Sequence, residues 1–150
     1  GQAPQTVALT DLLTIREFSA ENPDAADFEG FSIETRPVSH RPESVAYKII
    51  SDGVSVVYSG DTDVDDNLVT LAAGADLLIC ESALPDDLKV DGHLTPSLAG
   101  RLAAEAGVKR LVLTHLYPPC ETVDIKAQCQ AVYSGEVIVA KDLLRLEISP

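Results

Sequence analysis

Hydrophobic positions change their period along this chain, and the change divides it into two parts. In the first part apolar residues alternate with polar ones and many are β-branched. Leu13 to Ser19 reads as a strand, residues 28–31 as a turn around Gly30, and Phe31 to Val38 (FSIETRPV) as a strand bent near Pro37. Ser44 to Ser51 (SVAYKIIS) forms another strand. Asp52-Gly53 is a strong hairpin signal, so Val54 to Ser59 (VSVVYS) is expected to return beside it. After Gly60, short apolar runs alternate with helical segments. Asp65 to Ala73 is expected to form a short helix stopped at Gly74, Ala75 to Cys80 (ADLLIC) a buried strand, and Leu84 to Gly92 an acidic loop. Thr95 as N-cap with Pro96 in the first turn opens a helix to Ala106 that Gly107 closes. Arg110 to Thr114 (RLVLT) reads as a second buried strand, residues 122–133 as a helix, and Glu136 to Ala140 and Leu143 to Ile148 as strands. The expected fold is mixed α/β: an antiparallel meander leading into a βαβαβ unit with parallel strands.

Composition narrows this picture. The chain has 150 residues, 45% of them hydrophobic, which supplies one domain with a core and excludes disorder. No apolar run approaches the roughly 20 residues that span a bilayer. The start of the chain has no basic stretch followed by an apolar one, so no signal peptide is visible, and a cytoplasmic protein without membrane partners is expected. The chain contains no Met, and its first residue is read as a cut in a longer protein. Cys80, Cys120 and Cys129 are odd in number and widely spaced, which fits reduced thiols and neither a disulfide framework nor a zinc knuckle. A net charge of −13 argues against broad phosphate binding through lysine and arginine. It leaves open a nucleic-acid substrate held by a metal, because a cation at a carboxylate-lined site reverses the local field.

Few residues are candidates for chemistry. Asp61, in YSGDT, and His115 each follow an apolar strand at its C-terminal end, where ligands collect in open α/β sheets. They are either converging metal ligands or a turn cap and an ordinary strand-end histidine. His93, in DGHLT before a helix, is either a surface residue of a capping loop or a proton donor oriented by Glu81. His40, before Arg41-Pro42, is either an exposed turn residue or a contact to substrate or ligand.

Taken in order, VVYSGDT, GADLLICES, GHLTP and AGVKRLVLTHLYP resemble the later motifs of the metallo-β-lactamase superfamily, most closely its ribonuclease Z-like branch. PVSHRPESVAYKI, ahead of them, resembles the strand pair before SGDT in that branch. The resemblance implies an αβ/βα sandwich of which this chain is the C-terminal half, a single partial domain over residues 1–150. It implies that Asp61 bridges two zinc ions and His115 binds one of them. Glu81 matches the glutamate of the family's HEAT segment, with Cys80 in place of its histidine, and His93 matches the HST histidine; together they would pass a proton to the leaving group. Thr62 and His40 would contact the ligands or the substrate.

The same resemblance exposes a gap. The family draws most of its ligands from an HxHxDH segment, and this sequence contains no HxH pair. The parent is expected to be a metal-dependent hydrolase that uses metal-activated water on RNA or a small phosphodiester. The chain alone, with Asp61 and His115 as an incomplete ligand set, is expected to bind zinc weakly or not at all and to be inactive. Its partners are expected to be the missing N-terminal half or, through an uncovered sheet face, a second copy. A noncatalytic assembly half-domain is the alternative, as is a hydrolase of lactone, thioester or β-lactam bonds. Only Ser51-Asp52-Gly53 stand where ribonuclease Z carries a long insertion, and Leu116-Tyr117-Pro118-Pro119 replace its Ser/Arg-Tyr segment, which places tRNA processing in doubt.

Overall fold

A computed structural model describes residues 13–149. Seven strands form one sheet in sequence order: β1 (Asp24–Phe28), β2 (Phe31–Pro37), β3 (Val45–Ser51), β4 (Val54–Tyr58), β5 (Leu77–Glu81), β6 (Arg110–Thr114) and β7 (Glu136–Val139). β1 to β4 pair antiparallel. β4 to β7 pair parallel, with α1 (Asp66–Ala72), α2 (Pro96–Ala106) and α3 (Ile125–Gln130) in the connections. The expected meander followed by βαβαβ is therefore present.

Period-2 alternation places the core on the helical side. Val57, Leu78, Cys80, Leu111, Leu113 and Val137 pack with Leu68, Leu71, Ala99, Leu102, Ala103 and Cys129. Ile49 and Tyr58, on the other side of their strands, are 43% and 45% exposed. The helices thus cover one face and leave apolar residues on the other.

Three expectations fail, each for a local reason. Leu13 to Ser19 is not a strand, and Leu13 and Ile15 project into solvent. The edge of the sheet goes instead to β1, which pairs with β2 around the Glu29-Gly30 turn. Leu143 to Ile148 forms no strand; Leu143 takes φ +62°, and the segment is tied by the Arg110 guanidinium, which donates to the Glu147 carbonyl at 3.1 Å. The helix expected over residues 122–133 shortens to α3, because Pro118–Thr122 forms a 3₁₀ turn and the Asp124 side chain caps Ala127 N–H at 2.9 Å. Thr95 is the N-cap of α2 with Pro96 in the first turn, as expected, but the capping bonds come from Asp86 of the preceding loop, which accepts from Ser97 N–H and its hydroxyl. Among the described residues no helix is long and apolar enough to cross a membrane.

Candidate metal centre

β4, β5 and β6 run in the same direction, so the loops after them meet at one edge of the sheet. Asp61 follows β4, Glu81 ends β5, His93 lies between β5 and α2, and His115 follows β6. Backbone geometry sets two of these side chains. Gly60 has φ +60°, and a Cβ there would stand 3.0 Å from the Val45 carbonyl oxygen, so the turn that presents Asp61 needs glycine. His115 adopts φ +58°, a left-handed conformation that costs a non-glycine residue about 1–3 kcal/mol.

That turn leaves His115 Nε2 buried without a hydrogen-bond partner, 3.7 Å from Asp61 Oδ1. One donor atom from each of Asp61, His93 and His115 lies within 4.8 Å of the others. Two imidazoles and a carboxylate suit a zinc-like ion, and three protein ligands are what a catalytic zinc retains. An orphaned imidazole nitrogen facing a carboxylate is satisfied by such an ion, so the residues present fit one.

Glu81 is the buried hub behind this group. Its Oε1 accepts from Thr62 N–H and His93 Nδ1, both at 2.9 Å, and its Oε2 from Leu94 N–H at 3.1 Å and Ala83 N–H at 3.3 Å. All four partners are donors, which an ionised carboxylate answers fully. With Nδ1 of His93 committed to Glu81, Nε2 is the nitrogen left for the cluster.

The remaining sequence candidates lie one step back. Thr62 is buried, its hydroxyl donates to the Asp63 carbonyl at 2.8 Å, and it reaches Glu81 only through its main chain. His40 stands outside the three-residue group; its ring is 4.9 Å from that of His93, and its Nδ1 is 2.9 Å from the Gly92 carbonyl oxygen.

Two residues were not singled out by sequence. Asp63 accepts from Lys89 Nζ at 2.8 Å and from Gly92 N–H at 2.9 Å. Burial alone would raise its carboxyl, but Lys89 and the Val64 and Gly92 N–H groups outweigh burial and hold it below the usual carboxylate value. Tyr117 sets its ring 5.2 Å from His115 and 6.2 Å from His93. It borders a cavity of about 770 Å³ that His115, Lys126 and Lys141 also line. A second cavity, about 470 Å³, is lined by Asp61, His40, Arg41 and Tyr58. The three thiols are buried and unpaired, and burial pushes Cys129 up to about 11, so they are poor nucleophiles and ligands.

Known proteins resemble this chain in sequence and fold. The β-lactamase superfamily domain matches residues 4–116. Ribonuclease Z of Mycobacterium tuberculosis is 34% identical over 154 aligned positions, which cover 92% of this chain and 55% of that protein. The metallo-β-lactamase fold protein YhfI from Bacillus subtilis superposes with a TM-score of 0.71 at 32% identity, over 83% of this chain and 52% of that one. Human tRNase Z, short form, gives 0.65 at 30% identity, over 83% and 46%. The chain spans about half the length of the curated relatives it matches, 47% of an uncharacterized protein of M. tuberculosis for example. The mixed sheet, its one-sided helices and these matches agree: the chain belongs to the metallo-β-lactamase superfamily, a family of metal-dependent hydrolases, and within it is ribonuclease Z-like.

Proposed function

We propose that this chain supplies one side of a zinc-dependent phosphodiesterase site, completed by a second half of the same enzyme. The observation that carries the reading is the convergence of Asp61, His93 and His115 within 4.8 Å. Asp61 and His115 would hold the ion. When bound, it supplies Lewis acidity that activates water and neutralises anionic oxygens. The chain's own part is proton management. Glu81 takes the Nδ1–H of His93 and fixes the ring, and Nε2 delivers a proton to the departing oxygen. Relatives named ribonuclease Z and tRNase Z support a phosphodiester as the bond. The two-residue Asp52-Gly53 turn between β3 and β4 leaves no insertion there, and favours a small phosphodiester over tRNA.

The cluster also favours a second reading, in which His93 Nε2 is a third ligand instead of a proton donor. The two exclude each other, since one lone pair cannot hold an ion and a proton together. Zinc titration of this chain tests both. Asp61→Ala removes binding on either reading; His93→Ala leaves affinity within a few-fold on the first and lowers it strongly on the second. Unchanged zinc binding in Asp61→Ala would refute the site. The open sheet face around Ile49 and Tyr58 is the surface we assign to the other half. Alone, the chain should self-associate through it, because covering apolar area contributes about 25 cal/mol per Å². A monomeric mass in dilute solution would contradict this.

A further inference from the structure

His93 sits at the end of a loop with little regular structure of its own, a 3₁₀ turn at Asp86–Leu88. What holds the loop beside the cluster is the peptide unit just before the histidine. Gly92 N–H donates to Asp63 Oδ2 at 2.9 Å, and the Gly92 carbonyl accepts from His40 Nδ1 at 2.9 Å. Gly92 has φ +82°, and a Cβ on it would lie 3.1 Å from His40 Nδ1, so glycine is needed both for the turn and for the close approach of the imidazole. A carbonyl can only accept, so His40 must carry its proton on Nδ1.

Both grips are themselves anchored. Asp63 N–H donates to the Ser39 carbonyl at 2.7 Å, and its carboxylate also takes Val64 N–H and Lys89 Nζ, each at 2.8 Å. His40 N–H donates to the Val38 carbonyl at 3.1 Å. The loops after β2, β4 and β5 are therefore tied at one glycine, immediately before the His93–Glu81 bond.

We propose that Asp63 and His40 are positioning residues of the metal centre: one grips the N–H and the other the C=O of Gly92, and together they set where the His93 ring stands between Glu81 and the Asp61–His115 pair. What His93 does there rests on the function proposed above; the clasp itself needs no metal. It gives His40 a role in aligning His93 instead of touching substrate.

The test is histidine ¹⁵N NMR on this chain at one fixed pH, together with zinc titration. The downfield Nδ1–H proton of His93 on Glu81 reports ring placement directly. Asp63→Ala, His40→Ala and Gly92→Ala should each broaden or erase that proton; zinc binding should stay within a few-fold where His93 is the proton donor and weaken about 10–100-fold where it is the third ligand, the usual weight of groups that orient ligands. Asp63→Asn keeps an oxygen for Gly92 and should restore the signal. Lys89→Ala removes the ion pair without touching Gly92 and should leave the signal intact. Survival of the His93 proton in Asp63→Ala and His40→Ala overturns the proposal. So does its loss only together with the amide dispersion of the whole sheet, which would mean a role in the fold alone. A wild-type chain that binds no zinc, yet loses the His93 proton in these variants, would count against Asp61 and His115 holding the ion without the second half and would uphold the clasp.

Discussion

The two ends of β5 each carry a buried carboxylate, and they do different work. Asp76 stands just before the strand. Its Oδ1 meets Lys109 Nζ at 2.6 Å, and its Oδ2 accepts from Ser55 N–H at 2.7 Å and from the Ser55 hydroxyl at 3.1 Å. Those partners belong to the neighbouring strand and to the turn into β6, so the group closes the sheet's lower edge. The Lys109 ammonium, aided by Ser55, holds its carboxyl down at about 2 despite burial. Glu81 ends the strand and gathers partners from two loops, one of them an imidazole whose second nitrogen faces Asp61 and His115. A carboxylate held by the fixed donors of a neighbouring strand is a weld. One paired with an imidazole also sets the state of the ring's other nitrogen.

Substitutions can break or sharpen this contrast. The largest effect is expected at the Glu81 end of β5. In the two-half zinc enzyme proposed above, His93→Ala should slow turnover by about 10²–10⁴-fold, read in single-turnover kinetics, with zinc content retained. Loss of zinc in the same variant would move His93 from proton donor to ligand. Glu81→Ala comes next. It strands three buried N–H groups and an imidazole, and should cost about 3–5 kcal/mol in urea unfolding of this chain. A cost below about 1 kcal/mol would mean that water replaces the carboxylate and the hub is not structural.

Asp76→Asn should cost less, about 1–2 kcal/mol near neutral pH, because an amide keeps part of the Ser55 contact. The pH dependence has a definite sign. The folded-state value is depressed, so the stabilisation is complete above the ordinary carboxylate value and fades as pH falls from about 4 towards 2. Thermal melts of the wild type and Asp76→Asn should therefore converge in that window. The smallest effect is expected at Lys109→Ala, under about 1 kcal/mol, since that side chain is 64% exposed and water screens the pair. A large loss there would make the lysine, not Ser55, the principal partner of the weld.

Much of this was legible in the chain. Alternation in FSIETRPV, SVAYKIIS and VSVVYS, with Asp52-Gly53 between the last two, marks β2 to β4, and the apolar runs ADLLIC and RLVLT mark β5 and β6. β1 escaped notice because DAADF has no β-branched residue and no alternation, and is a strand only by pairing with β2. Asp63 escaped as one more acid in SGDTDVDD, and Tyr117 as the aromatic beside two prolines. Asp86 escaped because it caps a helix eleven positions ahead, where no local rule looks.

The sequence by itself determined what period and local chemistry encode: the strands and helices of the parallel unit, the glycine turn before Asp61, and the residue types able to bind a metal. Tertiary structure alone decided which of them meet. Asp61, Glu81, His93 and His115 are separated by tens of residues, and nothing local brings them together. Parallel pairing of β4, β5 and β6 does, because strands running in one direction deliver their following loops to the same edge.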